Sequence, residues 1–453
     1  MKEALTLVKP EPATTRLDSK TTDIGSVFVS NYPPYSFWNA DAVSEAHAVL
    51  NAPLPDDAPA PLLGLYMHIP FCRKRCKFCY FRVYTDKNAR DIETYTNALA
   101  TEVETYAALP RIENRPLHFV YFGGGTPSYI SSRHLKQLTD RVKAAMPWDK
   151  AEEVAFECEP GTLTQPKVAA IKEIGVTRLS LGVENLNDDI LRENGRAHIS
   201  KEVYRVMPWV LDAQFDQLNV DLIAGMIGET WENWRDTVQK TIDLNADSVT
   251  VYQLELPHNT VYSRDLKTGE MVETAVATWD EKREWHAHAF EQFCAAGYEI
   301  SSAYTVIKRE NSRGFVYRDA VWTGQDLIGT GVASFSHVGG VHFQNAPHWD
   351  GYLEPAAKGR LPIQRAFQPT EDERVTRQMI LQLKIGKLNA QPFRDQFGVD
   401  IIERHRGALE RLRSEGMLEF DGSGIELTQA GFLRVDQLLP EFYAEKYRNS
   451  RYT

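Results

Sequence analysis

Cysteine is scarce in this chain: five thiols in 453 residues, an odd number with three of them bunched. That usage argues against a disulfide framework and for a reducing compartment. Long apolar runs are missing too, so no segment reads as a membrane span. The first twenty residues, MKEALTLVKPEPATTRLDSK, lack the apolar core of a signal peptide. A cytoplasmic protein is expected. Basic charge is not in excess: a net charge of −11 speaks against bulk nucleic-acid binding, while leaving room for a local basic pocket. With 43% hydrophobic residues the composition is that of a globular protein, and the length predicts one large catalytic domain with one or two small modules.

The bunched thiols are Cys72, Cys76 and Cys79, in the run HIPFCRKRCKFCYF. Thiolates are the usual ligands of iron–sulfur clusters, and a complete cubane takes four. Three close thiolates hold a four-iron cluster while leaving one iron open to a non-protein ligand, which makes a reaction centre rather than a wire. Zinc wants four ligands, commonly as two pairs, and no second pair appears downstream. Cys158 and Cys294 read as core and as helix packing beside Phe290 and Phe293.

Strand-like runs at Gly64–Ile69, His118–Phe122, Glu153–Glu157, Thr177–Leu181, Leu218–Ile223 and Ser248–Leu254 alternate with amphipathic helices near 91–108, 132–146, 165–173, 187–193, 201–212 and 230–243. This rhythm predicts an α/β fold, a partial (β/α)6 TIM-like barrel whose chemistry gathers at the strands' C-terminal ends. The cysteine loop follows the first of them. The expected division is an N-terminal extension (1–60), a barrel domain (61–345) and a small, mostly helical, winged-helix-like C-terminal module (346–453). Residues 1–25 are too polar to bury a core and are expected to be disordered.

Gly123, Gly124 and Gly125 follow a strand, where backbone without side chains admits a ligand or a tight turn. Strand alternation puts Glu157 and Glu159 on one face and Phe156 and Cys158 on the other. His68 reads as a hydrogen-bonded core histidine. GTGVAS (329–334) lacks the third glycine and the βαβ setting of a dinucleotide fingerprint. Arg82, Arg313 and Arg318 are candidates near the barrel mouth for pairing with substrate carboxylates, or else solvated surface arginines.

With YMHIPFCRKRCKFC (66–79), YFGGGTPSYIS (121–131), ECEPGTL (157–163), GVTRLSLGVEN (175–185), NVDLIAGM (219–226), YQLELPHNT (252–260) and GQDLIGTGVASFSH (324–337) in this order, the chain resembles the radical S-adenosylmethionine enzymes, in particular the oxygen-independent coproporphyrinogen III oxidase family. The likeness runs from about Asn31 to Tyr443. It implies a 4Fe-4S cluster on Cys72, Cys76 and Cys79, with S-adenosylmethionine on its open iron. An electron from the cluster then breaks a carbon–sulfur bond, and the resulting 5′-deoxyadenosyl radical abstracts hydrogen from substrate. It implies further that Gly124, Gly125 and Thr126 hold the methionine part, that Glu157, Arg196 and Asp221 are cofactor contacts, and that Tyr66 and Phe78 lie beside the cluster and adenosine. An electron donor such as flavodoxin or ferredoxin is implied as partner.

Two departures matter. True coproporphyrinogen oxidases carry a further cysteine where Phe81 stands, and the family's cofactor-binding glutamine is Glu184 here, an acceptor in place of a donor. The leading expectation is a coproporphyrinogen-oxidase-like enzyme acting on a tetrapyrrole or other large conjugated substrate, with poor activity on coproporphyrinogen III itself. The segment YPPYSFW resembles the one ahead of the barrel in the decarboxylases and in related radical C-methyltransferases, where it helps form a second S-adenosylmethionine site; a radical C-methyltransferase using two such molecules is one alternative. A heme chaperone with little turnover, suggested by the form of YQLELPHNT, is the other.

Overall fold

The computed structural model describes residues 28–55, 60–269, 276–311, 313–448 and 450; the expectation of disorder for 1–25 falls outside them. Strand β1 (Leu63–Ile69) is buried at every residue but Tyr66, as a parallel strand covered on both faces must be. It is followed side by side, all parallel and in chain order, by β2 (Leu117–Gly124), β3 (Glu153–Cys158), β4 (Arg178–Glu184), β5 (Gln217–Ala224) and β6 (Ser248–Gln253). Polar caps start the intervening helices: side chains of Asn88, Ser131, Thr164, Asn187 and Thr230 accept first-turn N–H groups that would otherwise go unpaired.

The sheet is larger than six strands. Beyond β6 come the antiparallel β8 (Thr305–Lys308) and β7 (Tyr298–Ser302). On the other side of β1 lies a seventh parallel strand, β9 (Asp326–Thr330), then the antiparallel β10 (Phe335–Val338), β11 (Val341–Asn345) and β12 (Ile363–Phe367). The stretch around GTGVAS is therefore partly strand. It leads directly into β10 rather than into a helix. Since β12 pairs with β11, the barrel's sheet runs past the boundary expected at 345.

A glycine closes the floor of the barrel. A Cβ on Gly64 would lie 1.9 Å from the ring of Phe119, so only glycine lets that ring cross the interior. Phe119 packs with Ala320 and Leu327, against Tyr66 and Tyr317, at the strands' N-terminal ends. The helix Val316–Trp322 is held there by its first N–H groups, which donate to Glu153. The interior thus opens at the opposite, C-terminal ends.

The C-terminal module sets the helix Glu371–Leu383, β13 (Lys387–Asn389) and the helices Gln391–Phe397, Ile401–Arg404 and Arg406–Ser414 against a three-stranded antiparallel sheet with β14 (Leu418–Phe420) and β15 (Gly424–Leu427). Within the module the helices Ile401–Arg404 and Arg406–Ser414 are separated by a break at His405. The module has its own apolar core, and Val29 and Tyr32 of the N-terminal segment belong to it. The Tyr32 ring lies 4.9 Å from that of Tyr443 and 5.4 Å from that of Tyr447. A few residues on, Asn39 exchanges backbone hydrogen bonds with Ala366 of β12. The segment is a strap from the module to the barrel's edge. Among the described residues no helix is long and apolar enough to cross a membrane.

Candidate functional site

Where β1 ends, Pro70 and the buried Phe71 pin the start of the cysteine loop. Tyr84 N–H donates to Pro70 O (2.7 Å), and Cys72 N–H donates to Tyr84 O (3.1 Å). Its middle is fixed from other elements: Lys77 N–H reaches Asn194 O, and Arg75 donates to the carbonyls of Cys79 and Asn259. The three thiols are half-buried on one wall of a cavity of about 1050 Å³. Two donors point at sulfur: Thr126 Oγ1 at Cys72 (3.3 Å) and Arg196 Nη1 at Cys76 (3.3 Å). Burial pushes the Cys72 thiol up to about 11 and Cys79 to about 12, so metal binding there is coupled to proton release.

β2 ends in the glycine run. Gly124 has φ +109°, and a Cβ on it would sit 2.4 Å from the His68 ring; one on Gly125 would sit 2.8 Å from Ile69 O. The run therefore packs tightly on the end of β1. His68 is the buried histidine expected, its Nε2 3.4 Å from Arg82 O and its pKa lowered by burial to about 4. Next along the mouth, Glu157 accepts hydrogen bonds from Tyr121 (2.7 Å) and Gly124 N–H (3.1 Å). Glu159, on the same strand face, accepts two bonds from Arg73 and lies 3.0 Å from His198. Burial works against its charge, but His198 and Arg73 hold its carboxyl down at about 2. Cys158 is buried, as expected of a core residue, and Cys294 is half-buried.

β4 bulges against β5 between Gly182 and Glu184, and Glu184 takes φ +65°, a conformation that a residue with a Cβ adopts at a cost. Its carboxylate lies 3.5 Å from Arg196, which also donates to Gly182 O (2.7 Å). Asp221, from β5, is fixed by Ser180 (2.8 Å) and Asn219 (2.9 Å). Burial raises all three carboxyls, Glu157 and Glu184 to about 7. Three half-buried acids against Arg196, with Arg178 also acting on Asp221, leave room for a cationic ligand.

Every residue expected from the sequence to touch cluster or cofactor lines this one cavity: Cys72, Cys76, Cys79, Tyr66, Phe78, Gly124, Gly125, Thr126, Glu157, Glu184, Arg196 and Asp221. Of the three candidate arginines only Arg82 does. Arg313 pairs with Asp216 beside the start of β5, and Arg318 bonds Asp319 and Ser301. Both sit at the floor, Arg313 before the helix Val316–Trp322 and Arg318 on it, a placement visible only once that helix is seen to cap the N-terminal ends. The strap, whose YPPYSFW segment the sequence singled out, lines the cavity as well; the residues of β10–β12 and 432–437 that complete the lining were not expected.

Among the described residues no three histidine, cysteine or carboxylate side chains converge as around a single ion. A cluster of four irons binds each thiolate at a different iron, so its ligands need not converge. An all-thiol donor set, two hydrogen bonds aimed at sulfur and a polar, acid-rich neighbouring wall fit a cluster with a cationic ligand.

This geometry defines a cluster-binding parallel α/β barrel. Residues 66–241 match the Radical SAM superfamily, and residues 370–434 match the HemN C-terminal domain. The chain is 27% identical over 400 residues to the oxygen-independent coproporphyrinogen III oxidase of Synechocystis, covering 84% of each. To the heme chaperone HemW of Bacillus subtilis it is 26% identical over 385 residues, covering 84% of this chain and 99% of that one. The fold matches coproporphyrinogen III oxidase from Escherichia coli with a TM-score of 0.79 at 20% identity, over 93% of this chain and 99% of the other. The chain thus carries a Radical SAM domain followed by a HemN C-terminal domain, and is similar over most of its length to oxygen-independent coproporphyrinogen III oxidases and to heme chaperones. Its cofactors are a 4Fe-4S cluster and S-adenosylmethionine.

Proposed function

We propose that this chain is a radical S-adenosylmethionine enzyme of the coproporphyrinogen oxidase type, acting on a tetrapyrrole or similarly large conjugated substrate. Cys72, Cys76 and Cys79 ligate the cluster. Tyr66, Phe78, Gly124, Gly125, Thr126, Glu157, Glu184, Arg196 and Asp221 seat the cofactor. One observation carries the reading: the three thiols open into a cavity of about 1050 Å³ that Tyr80, Phe81, Tyr252 and Phe335 also line. That volume is at the upper end for small-molecule sites, enough for a cofactor and a broad flat ring together.

When bound, the cluster and cofactor supply one-electron cleavage of a carbon–sulfur bond and hydrogen abstraction. The chain's residues do the rest. Arg196 and Thr126 donate to the cysteine sulfurs, and Glu157 and Asp221 offer fixed acceptors to cationic or N–H groups of the cofactor. The floor plug of Phe119 and Tyr317 keeps water from entering beneath.

A second reading is favoured by Phe81. It is 46% exposed, stacked on Tyr80 at 4.5 Å, and stands on the cavity where the oxidases are expected to have a cysteine. An aromatic shelf of this kind suits binding of a flat ring without turnover, as in a heme chaperone. The test is anaerobic incubation of cluster-loaded protein with reductant, S-adenosylmethionine and either coproporphyrinogen III or heme. Tetrapyrrole should accelerate 5′-deoxyadenosine formation, with little protoporphyrinogen made. Stoichiometric heme binding with no acceleration would replace the enzyme reading by the chaperone. S-adenosylhomocysteine as product would point to a methyltransferase.

A further inference from the structure

The cavity that holds the cysteines is also lined by two arginines that have no ion-pair partner among the described residues. Arg377, on the helix Glu371–Leu383, is 4% exposed and lines the cavity. Its Nε donates to Asn31 Oδ1 of the strap (2.6 Å), and its buried Nη1 has no hydrogen-bond partner. Arg365 of β12 lines the same cavity, donating to Gln344 Oε1 (2.5 Å) and to Tyr35 O (2.9 Å). Among the described residues neither guanidinium has a carboxylate within ion-pair distance, and Tyr35 is the one acidic group acting on either. His337 and His342, between them on β10 and β11, are buried, and Arg377 helps keep both neutral. Besides the two arginines, Arg434 and Asp436 line the cavity, and Asp436 is paired with Lys384 at 2.8 Å.

A buried charge without a partner costs several kcal/mol unless something compensates it. In a chain of net charge −11, carboxylates are available for pairing, yet among the described residues none lies within ion-pair distance of Arg377 or Arg365. Glu157, Glu159, Glu184 and Asp221 line the barrel side of the cavity; Glu255 and Asp436 line it too, and Asp436 is taken up by Lys384 and the N–H of Val29.

We infer that Arg377 and Arg365 form an anion subsite that receives a carboxylate of the bound small molecule in the cavity that holds the cysteines. The inference rests on the proposed function, because a carboxylate-bearing tetrapyrrole is the occupant that reading supplies. A guanidinium with a free Nη edge presents the parallel donors that a carboxylate takes. Anchoring there, with the ring on Tyr80 and Phe81, would fix which edge of the substrate faces the cofactor. The carboxylate of an S-adenosylmethionine molecule bound at these arginines offers the same chemistry.

Anaerobic, cluster-loaded full-length protein should be titrated by fluorescence with coproporphyrin III and with its tetramethyl ester, and by equilibrium dialysis with S-adenosylmethionine. The parent should bind the acid at least tenfold more tightly than the ester. Arg377→Gln, which can keep the bond to Asn31, should remove at least tenfold of the affinity for the acid and leave the ester unchanged. Arg365→Gln should act in the same direction and serves if Arg377→Gln does not fold, as judged by iron content and melting. Acid binding unchanged in both variants overturns the subsite and leaves the tetrapyrrole reading standing. If neither porphyrin binds but the variants lose S-adenosylmethionine, the subsite stands with that molecule as its source and the tetrapyrrole reading falls. Loss of acid and ester alike would reduce the arginines to structural support, and retention of every ligand overturns the inference.

Discussion

Cys76 and Glu157 carry the most specific expectations at the scale of single residues. Cys72→Ala, Cys76→Ala or Cys79→Ala should each abolish the four-iron content of anaerobically reconstituted protein, while Cys158→Ala should retain it, since Cys158 lies in the apolar core. Iron and sulfide analysis with the reduced-state spin signal decides this. Glu157→Gln keeps the shape but halves the acceptors offered to the cofactor. It should weaken S-adenosylmethionine binding at least tenfold, or ~1.4 kcal/mol, in equilibrium dialysis. These positions were legible because their chemistry is local: three thiols in eight residues, a glycine run after a strand, an acid at a strand's end. Arg377 was not legible. Its meaning depends on Asn31, far off in sequence, and on the absence of a carboxylate, which no spacing records.

Glu102 gives the element scale a pH dependence. It lies buried in the helix Ala89–Ala107 and accepts from Gly331 N–H, Tyr352 and Asn345, tying that helix to the turn after β9. Burial raises its carboxyl to about 7. The unfolded chain releases this proton near 4.5, before the folded one does. Stability should therefore carry no penalty from Glu102 below about pH 4.5, fall as pH rises to about 7, and level off above. Glu102→Gln should flatten the fall between pH 5 and 7 in urea melts; an unchanged slope would show that the carboxylate is fully ionised inside the fold.

The strap is the other element with a sharp consequence. Tyr32→Ala removes a ring packed between Tyr443 and Tyr447 and should cost ~3 kcal/mol, seen as earlier melting of the C-terminal module. Melting like that of the parent would detach the strap from the module's core. The six parallel strands were readable from their short apolar runs between turn residues. β9 was not, because glycines dilute the pattern in DLIGTG, and β12 was not, because IQRAF is a half-exposed edge strand. What a sheet edge recruits is decided by tertiary pairing, which a local pattern does not contain.

At the scale of the whole molecule, the barrel mouth alone is half of a site. The plug of Phe119 and Tyr317 closes one end, and the strap and C-terminal module build the far wall over the other. Glu157, Glu184 and Asp221 thus come from the barrel, and Arg365 and Arg377 from β12 and the module. A bound molecule would bridge the two sides and hold them together.

The most direct test of this account is cleavage of S-adenosylmethionine by the full-length, anaerobically reconstituted protein with a strong reductant, followed as 5′-deoxyadenosine by chromatography. The account predicts slow cleavage by the parent, faster cleavage when tetrapyrrole is added, and none by Cys76→Ala. Protein that holds four irons yet forms no 5′-deoxyadenosine under any of these conditions would contradict it.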